Sequence, residues 1–280
     1  MAKLTVIFID VGWGDSIFIE HVNAQGKKLY GLVDSNDSTE SLSSYTFIKQ
    51  HFEQEKVYYK KKPAFHFVLL THWHGDHHSG LKRIIKKFGT HYFWYPKSWP
   101  NDMAVLRKYA NGTNPKPRIV THEAVNRDKK AKKDFGDVNL KFHWPPYTAS
   151  GPCDNNPNNT SAVMELEYDG VRLMLTGDCQ AEKWNDIIQH TNKTGIKVFQ
   201  APHHGAKNGM FHNGKTPWLD FVGKSVKIAL SSHIHPHKHP NKDVIKELLE
   251  RERPHFRTDE HYHLTFEITN GKVSTKWSHF

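Results

Sequence analysis

Cysteine, acidic side chains and long apolar runs are all scarce in this chain of 280 residues, and each shortage excludes a class of protein. The two cysteines, Cys153 and Cys179, are too few for a disulfide framework and suit a reducing compartment. The first apolar run, from Leu4 to Ile9, ends at Asp10 and is too short for a signal sequence or a membrane span. We therefore expect a cytoplasmic protein without membrane contact.

The shortage of acidic residues leaves the chain strongly basic. It has 29 Asp and Glu against 39 Lys and Arg, which gives a formal net charge of +10. Such a surface attracts polyanions, so nucleic acid is the leading partner class. A simpler explanation is solubility, because lysine runs such as residues 60–62 and 129–133 are commonly solvated. The length suits one hydrophobic core, and we expect a single domain over residues 1–280.

The most informative stretch is an apolar run that ends abruptly in metal-ligand side chains. Residues 68–70 predict a strand buried on both faces, and the loop after it carries His72, His74, Asp76 and His77. The first two histidines point to one side of an extended chain, whereas the other pair, beyond a glycine bend, can face a second point. A polar histidine-rich loop is the alternative. Imidazole with carboxylate suits zinc, manganese or iron, and the spacing indicates two ions.

The rest of the chain alternates hairpins with helices, which predicts a layered α/β fold. Predicted strands cover residues 4–9, 17–21, 29–33, 67–70, 91–95, 138–144, 162–168, 171–176, 196–199, 226–230, 261–268 and 272–277. Predicted helices cover residues 38–54, with Ser38 or Thr39 as cap, 81–88, 103–109, 181–189 and 243–251. Asp or His follows several strands, at 34, 72–77, 178, 203–204 and 233–239, which indicates one site at a sheet edge.

These motifs resemble those of the metallo-β-lactamase fold, an αββα sandwich. The histidine loop at residues 72–77 is similar to that superfamily's signature, and Leu-Thr-Gly-Asp at 175–178 resembles its Gly-Asp motif. More narrowly, residues 8–16, Asn-Asn-Thr-Ser at 158–161 and Pro-His-His-Gly at 202–205 resemble the hydrolase domain of ComEC-type bacterial competence proteins. That domain is thought to degrade the DNA strand that is not imported. The resemblance spans nearly the whole chain.

The resemblance implies a dinuclear site that binds two divalent ions, zinc or manganese, with one aspartate between them. The implied metal ligands are His72, His74, Asp76, His77, Asp178 and His204. Asp76, Asp178 and His203 would carry the catalysis, with His203 touching the substrate phosphate.

Three further residues could support the ligands. Asp34 would orient the site or, equally, cap the helix that follows. Asn159 stands where the wider superfamily places a third histidine, and an amide is a weak ligand, so we expect the His72 site to need added metal or substrate phosphate to fill. His239 is the third candidate, as a supporting residue or weak ligand. If the His72 site instead held its ion tightly, His143, His233, His235 or His239 would complete it.

Three more residues are candidate substrate contacts. Trp13 replaces a glutamine that is usual in the ComEC-like family, and its indole could stack a nucleobase or pack against the sheet. Asp15 could lie at the mouth of the cleft or serve only to form a turn. Lys207 follows the His-His-Gly loop closely enough to meet a phosphate.

From these features we predict a dinuclear metallohydrolase that cleaves phosphodiesters, most simply a nuclease acting on DNA. One alternative is a phosphodiesterase for a small substrate such as a cyclic nucleotide or a phosphocholine ester. Lactonases and thioesterases use the same ligands. Outside enzymes, the alternative is a metal-dependent nucleic-acid-binding module with little activity.

Overall fold

A computed structural model of the protein describes residues 1–37, 43–59, 62–96, 108, 110, 112–113, 116–122, 135–146 and 154–278. Two mixed β-sheets pack face to face, and helices cover the outer face of each. This arrangement confirms the αββα sandwich predicted from the sequence. None of the helices in these ranges has the length and apolar character needed to cross a membrane.

The strands divide into an eight-stranded and a six-stranded sheet. In chain order they are β1 Lys3–Phe8, β2 Ile17–Val22, β3 Lys28–Val33, β4 Phe65–Leu69, β5 Thr90–Tyr95, β6 Arg118–Thr121, β7 Asn139–Trp144, β8 Val163–Tyr168, β9 Val171–Leu175, β10 Ile196–Gln200, β11 Lys227–Leu230, β12 His255–Arg257, β13 His263–Thr269 and β14 Lys272–Ser278. The first sheet has the order β14-β13-β1-β2-β3-β4-β5-β6, and the second has the order β12-β11-β10-β9-β8-β7.

Eight helices have both ends within the described ranges. They are α1 Ser44–Gln54, α2 Gly75–His78, α3 Leu81–Phe88, α4 Trp184–Gln189, α5 Lys207–Met210, α6 Pro217–Phe221, α7 Lys242–Glu250 and α8 Thr258–His261. The apolar faces of α1 and α3 pack on the first sheet, and those of α4, α6 and α7 pack on the second. Between the sheets, the core contains Phe67, stacked on Trp94 with ring centroids 4.3 Å apart.

Parallel pairing brings the exits of several strands together. Strands β3 to β6 are mutually parallel, as are β9 to β12. Because the carboxyl ends of parallel strands meet at one edge of a sheet, the loops after β3 and β4 are neighbours, and so are the loops after β9, β10 and β11. These loops contain the Asp and His residues singled out in the sequence.

Some predicted boundaries differ from the structure. Helix α1 begins later than predicted, because the hydroxyl of Ser43 accepts a hydrogen bond from the Thr46 amide and forms the N-cap. Ser38 and Thr39 lie outside the described residues, as do six of the seven residues of the predicted helix over 103–109. The predicted helix over 181–189 divides into a 3-10 turn at Ala181–Lys183 and α4. The short strands β6 and β12 were not predicted, since runs of three or four residues have little periodicity.

Candidate metal centre

Asp178, in the turn after β9, lies at the centre of a cluster of imidazoles. Its Oδ1 is 3.3 Å from Nε2 of His77 and 3.2 Å from Nε2 of His204. Its Oδ2 is 3.6 Å from Nε2 of His72. The amide of Asp178 donates to the hydroxyl of Ser161, which fixes the turn. One carboxylate therefore faces histidines from two sides.

The structure places all six implied ligands in two adjoining groups. Within each group the candidate ligand atoms lie within 4.8 Å of one another. The first group is Asp76, His77, Asp178 and His204, and the second is His72, His74 and Asp178. Helix α2 turns Asp76 and His77 away from the extended residues before them, which separates the two groups. Asp178 belongs to both, as expected for a residue between two ions.

The donor atoms of this cluster fit a divalent cation. Nε2 of His77, Nε2 of His204 and Oδ1 of Asp178 are buried, and none has a hydrogen bond to any described residue. Leaving such polar atoms buried without a partner costs free energy, so the arrangement is favourable only when another group meets them. Neutral imidazole and ionised carboxylate are the forms that bind metal. The donor set could therefore hold a divalent metal ion.

Charge within the cluster keeps its carboxylates ionised. Burial alone would raise the pKa of Asp178, but His204 and His77 hold that pKa well below its usual range. Asp76 behaves in the same way: burial opposes ionisation, yet its histidine neighbours lower the pKa. Burial lowers the pKa of His72 and His74, so both imidazoles are neutral near pH 7. Burial would also lower the pKa of His77 and His204, but Asp178 and the neighbouring aspartates raise both pKa values, so these two rings carry the charge that pairs with the carboxylates.

Contacts at Nδ1 orient two of the imidazoles, those of His77 and His204. Nδ1 of His77 lies 2.7 Å from Oδ2 of Asp34, and that carboxylate also accepts from the amide and hydroxyl of Thr71. Nδ1 of His204 donates to the carbonyl of Ser231 over 3.0 Å. In both cases Nε2 is left facing the cluster, as is usual for metal-binding histidines. Burial raises the pKa of Asp34 to about 6. Asp34 therefore supports the cluster and does not cap α1.

Asp15 lies beneath the cluster and not at its mouth, so the prediction of a substrate contact is wrong. It is 1% exposed, and its Oδ2 accepts from the side-chain amide of Gln200 over 2.8 Å. The oxygen of the same amide accepts from the amide of Thr176. Gln200 was missed in the sequence, although a polar residue that ends the apolar strand β10 is a detectable signal.

His203 lies on the open side of the cluster. Its Nε2 is 3.6 Å from Oδ2 of Asp178 and 3.4 Å from Nδ2 of Asn158, while its Nδ1 contacts Asn208. Both His203 and His204 have positive φ, 52° and 54°, which is uncommon for residues with a β-carbon and is often found at functional sites. This backbone turns the two imidazoles in different directions.

His143 does not complete the His72 group, whereas the weak-ligand role of Asn159 stays a prediction, because its side-chain oxygen is buried without a hydrogen bond to any described residue. The side-chain amide of Asn159 donates to Asp154 and Glu182, whereas its neighbour Asn158 is the residue that reaches His203. His143 uses both ring nitrogens elsewhere, with Nε2 2.8 Å from Glu165 and Nδ1 3.1 Å from the hydroxyl of Thr191. The prediction that His143 could serve as a ligand is therefore wrong.

The other histidine candidates lie in the loop after β11. The ring of His239 is 5.7 Å from that of His203 and 6.4 Å from that of His204, so this residue borders the cluster. Burial lowers the pKa of His239 to about 4. His233 and His235 contact each other, with Nδ1 of the first 3.1 Å from the carbonyl of the second.

Trp13 and Lys207 each contact a side chain outside the two ligand groups. The ring of Trp13 meets that of His237 edge to face, with centroids 5.3 Å apart. Nζ of Lys207 is exposed and pairs with Asp243 over 2.8 Å. Their substrate contacts therefore stay predictions.

The sandwich and this cluster agree with the comparisons to known proteins. Residues 59–183 match the Metallo-beta-lactamase superfamily. The chain is a metallo-β-lactamase-fold protein. Its two adjoining groups of His and Asp side chains could each hold a metal ion.

Individual relatives support the same conclusion about the fold. ComE operon protein 3 of Bacillus subtilis (strain 168) is 26% identical over 276 residues, which are 95% of this chain but 33% of that protein. This metallo-β-lactamase-fold chain thus spans about a third of the relative's length. Igni18, a metallo hydrolase from the archaeon Ignicoccus hospitalis, superposes with a TM-score of 0.54 at 16% identity, covering 95% of this chain and all of that one. Yeast PDE1 superposes with a TM-score of 0.54 at 12% identity, covering 95% and 99%.

Proposed function

We propose that the chain is a metal-dependent phosphodiesterase that cleaves nucleic acid, with DNA as its substrate. The observation that carries the proposal is the pair of ligand groups that share Asp178, in which Nε2 of His77, Nε2 of His204 and Oδ1 of Asp178 are buried without a hydrogen bond to any described residue. Sites of this kind suit displacement at phosphorus. The net charge of +10 favours a polyanionic substrate over a small neutral ester. The resemblance to ComEC-type domains points the same way. We also propose that residues 1–280 form one domain that acts in the cytoplasm.

The roles of the ligands follow from their contacts. His72 and His74 would hold one ion, and Asp76, His77 and His204 the other, with Asp178 between them. When bound, two divalent ions, zinc or manganese, lower the pKa of a water and neutralise charge on the phosphoryl oxygens. The ligands are held in place in advance by Asp34, Thr71 and Ser231, so binding substrate requires little rearrangement.

His203 is the group we assign to the substrate. It lies on the open side of the cluster, and Asn208 fixes its Nδ1 while its Nε2 faces Asp178 and Asn158. Burial lowers the pKa of His203, so the ring is neutral near pH 7 and can donate or accept one hydrogen bond at Nε2. We infer that it contacts a phosphoryl oxygen, where charge increases during the reaction.

The test is a substrate panel with purified protein and added manganese or zinc. Labelled single- and double-stranded DNA and RNA are compared with a chromogenic phosphodiester, a lactone and a thioester. We expect metal-dependent cleavage of nucleic acid, lost on chelation and reduced at least about 100-fold by Asp178→Ala. The matched control is Asp186→Ala, at an exposed aspartate of α4. Binding of DNA should survive in Asp178→Ala, since binding depends on surface cations. Turnover of the lactone or thioester alone would contradict the proposal.

A further inference from the structure

A basic cleft lies where the parallel strands of the first sheet begin, at the opposite edge of that sheet from the metal centre. We call it the basal cleft; its volume is about 780 Å³, and Lys27, Lys28, Tyr58, Lys62, Lys116 and Arg118 are among its lining residues. Lys28 begins β3 and Arg118 begins β6, whereas the opposite end of β3 leads to Asp34 at the metal centre. Because six strand residues at about 3.3 Å each separate the two edges, the basal cleft is roughly 20 Å from the metals.

The charge of the basal cleft is strongly positive. Lys27, Lys62 and Lys116 are exposed and form no ion pair with any described residue. Lys28 differs, because Glu55 at the end of α1 neutralises it. No acidic side chain lines the cleft among the residues that the structure describes. Cations gathered in a concave surface concentrate anions, and here nothing in the described part of the wall opposes that attraction.

Aromatic side chains lie between these cations. Tyr58 is 62% exposed, which is unusual for a ring of its size, and Tyr92 and Tyr30 form deeper parts of the wall. The hydroxyl of Tyr30 is buried and has no hydrogen-bond partner among the described residues. Lysines that track a phosphate backbone, together with an exposed ring on which a base can stack, are the two elements of single-strand binding surfaces. A lone inorganic anion would contact the lysines but would have no base to stack on the ring.

We propose that the basal cleft binds single-stranded nucleic acid at a distance from the metal centre. This inference builds on the proposed function, since it gives the substrate a second contact site. A strand long enough to reach both edges of the sheet would gain affinity from the cleft, whereas a dinucleotide at the metals would not. The cleft would thus favour long strands without taking part in the chemistry.

The experiment compares two triple variants that remove the same number of charges. Lys27→Gln with Lys62→Gln and Lys116→Gln removes cations of the basal cleft. The control, Lys193→Gln with Lys197→Gln and Lys224→Gln, removes exposed cations of a separate cleft beside the second sheet. Binding of a labelled single-stranded DNA of about 20 nucleotides is followed by fluorescence anisotropy in chelator, which prevents cleavage. Thermal unfolding establishes that both variants are folded.

The basal-cleft variant should raise Kd about 10-fold near 0.1 M salt and lower the salt slope by about 2, since each lost phosphate contact contributes about 0.7. Tyr58→Ala should weaken DNA binding about 5-fold but leave binding of inorganic polyphosphate unchanged, because polyphosphate has no bases. With manganese present, KM for the long strand should rise while kcat, and cleavage of a dinucleotide, stay the same.

Equal weakening by the two triple variants would overturn the proposal, because general surface charge would then explain the binding. No effect of Tyr58→Ala would overturn it too, by showing a polyanion site that ignores bases. The two proposals fail separately. A wild-type protein that binds DNA through the basal cleft but cleaves no nucleic acid refutes the proposed function alone. If the wild-type protein cleaves DNA but the two triple variants bind DNA equally well, only the proposed role of the basal cleft is refuted.

Discussion

His203 and His204 are adjacent in the chain but have different neighbours, and this difference can be tested. His204 is buried against Asp76 and Asp178, whereas His203 reaches the open side. His204→Ala should lose about one metal equivalent, because it removes a ligand. His203→Ala should keep its metal and lower kcat, because it removes a group that acts on the substrate. Elemental analysis and steady-state kinetics on the same samples separate these outcomes. Equal metal loss, or the reverse order, would show that the roles are exchanged.

At the scale of elements, the loop between β1 and β2 is packed directly against α2. Gly14 has φ +95°, and a β-carbon there would overlap the carbonyl of Asp76, whose oxygen also accepts from the amide of Asp15. Gly14→Ala should therefore displace α2, weaken metal binding and lower the free energy of unfolding by about 1–3 kcal/mol.

Gly26 provides the matched control for Gly14. Its φ is also positive, at +76°, but nothing lies within 4 Å of the position that a β-carbon would take. Gly26→Ala should therefore show the cost of the backbone conformation alone, with full metal content. Metal content and denaturant unfolding are measured for both variants. If Gly26→Ala lost as much metal as Gly14→Ala, contact between the β1–β2 loop and α2 would not be the cause.

A buried ion pair links the strands at the edge of the second sheet. Glu165 of β8 is 3% exposed and contacts His143 of β7 and Arg172 of β9. Burial would raise the pKa of Glu165, but these partners hold the pKa at about 2. A carboxyl whose folded pKa lies below its unfolded value of 4.5 stabilises the protein above that pH, and the stability is lost as pH falls towards 2.

Glu165 should therefore account for about 2 kcal/mol of the stability lost between pH 7 and pH 3. Glu165→Gln should be less stable than the wild type at pH 7 but should lose correspondingly less on acidification. Urea unfolding of metal-free protein at the two pH values gives both free energies. An equal loss in wild type and variant would show that this pair does not contribute to acid sensitivity.

Particular residues show how much of the fold and of the metal centre could be predicted from the sequence. The strand ends at 72–77, 178 and 203–204 were predicted because an apolar run that stops at Asp or His is a local signal. The position of Asp15 was not, because its partner Gln200 is 185 residues away and no local pattern reports that contact. His143 was misjudged for a related reason, since Glu165 meets it only when β7 and β8 pair. The cap of α1 was ambiguous because several Ser and Thr residues precede the helix.

At the scale of the whole molecule, the two metal positions differ in their ligands. One has Asp76, His77 and His204 besides the shared Asp178, while the other has only His72 and His74 besides Asp178 in the described part of the chain. More ligands and more negative charge favour the first position. After dialysis against a mild chelator we expect about one metal equivalent per chain, and activity should return on titration with manganese or zinc. Two tightly held equivalents would mean that another residue completes the second position, and alanine variants of His233, His235 and His239 would identify it.

The hydrogen bond between Asp15 and Gln200 joins two parts of the chain that are synthesised far apart in time, so the metal centre cannot be completed until late in synthesis. A growing chain folds from its amino-terminal side while later residues are still being added, at about 5–20 residues per second. The histidine loop at 72–77 is synthesised before Asp178, Gln200 and His204, which follow more than 100 residues later. An unfinished chain therefore has the His72 and His74 pair without the carboxylate that joins the two groups. The complete metal centre would therefore form only after the second sheet has docked.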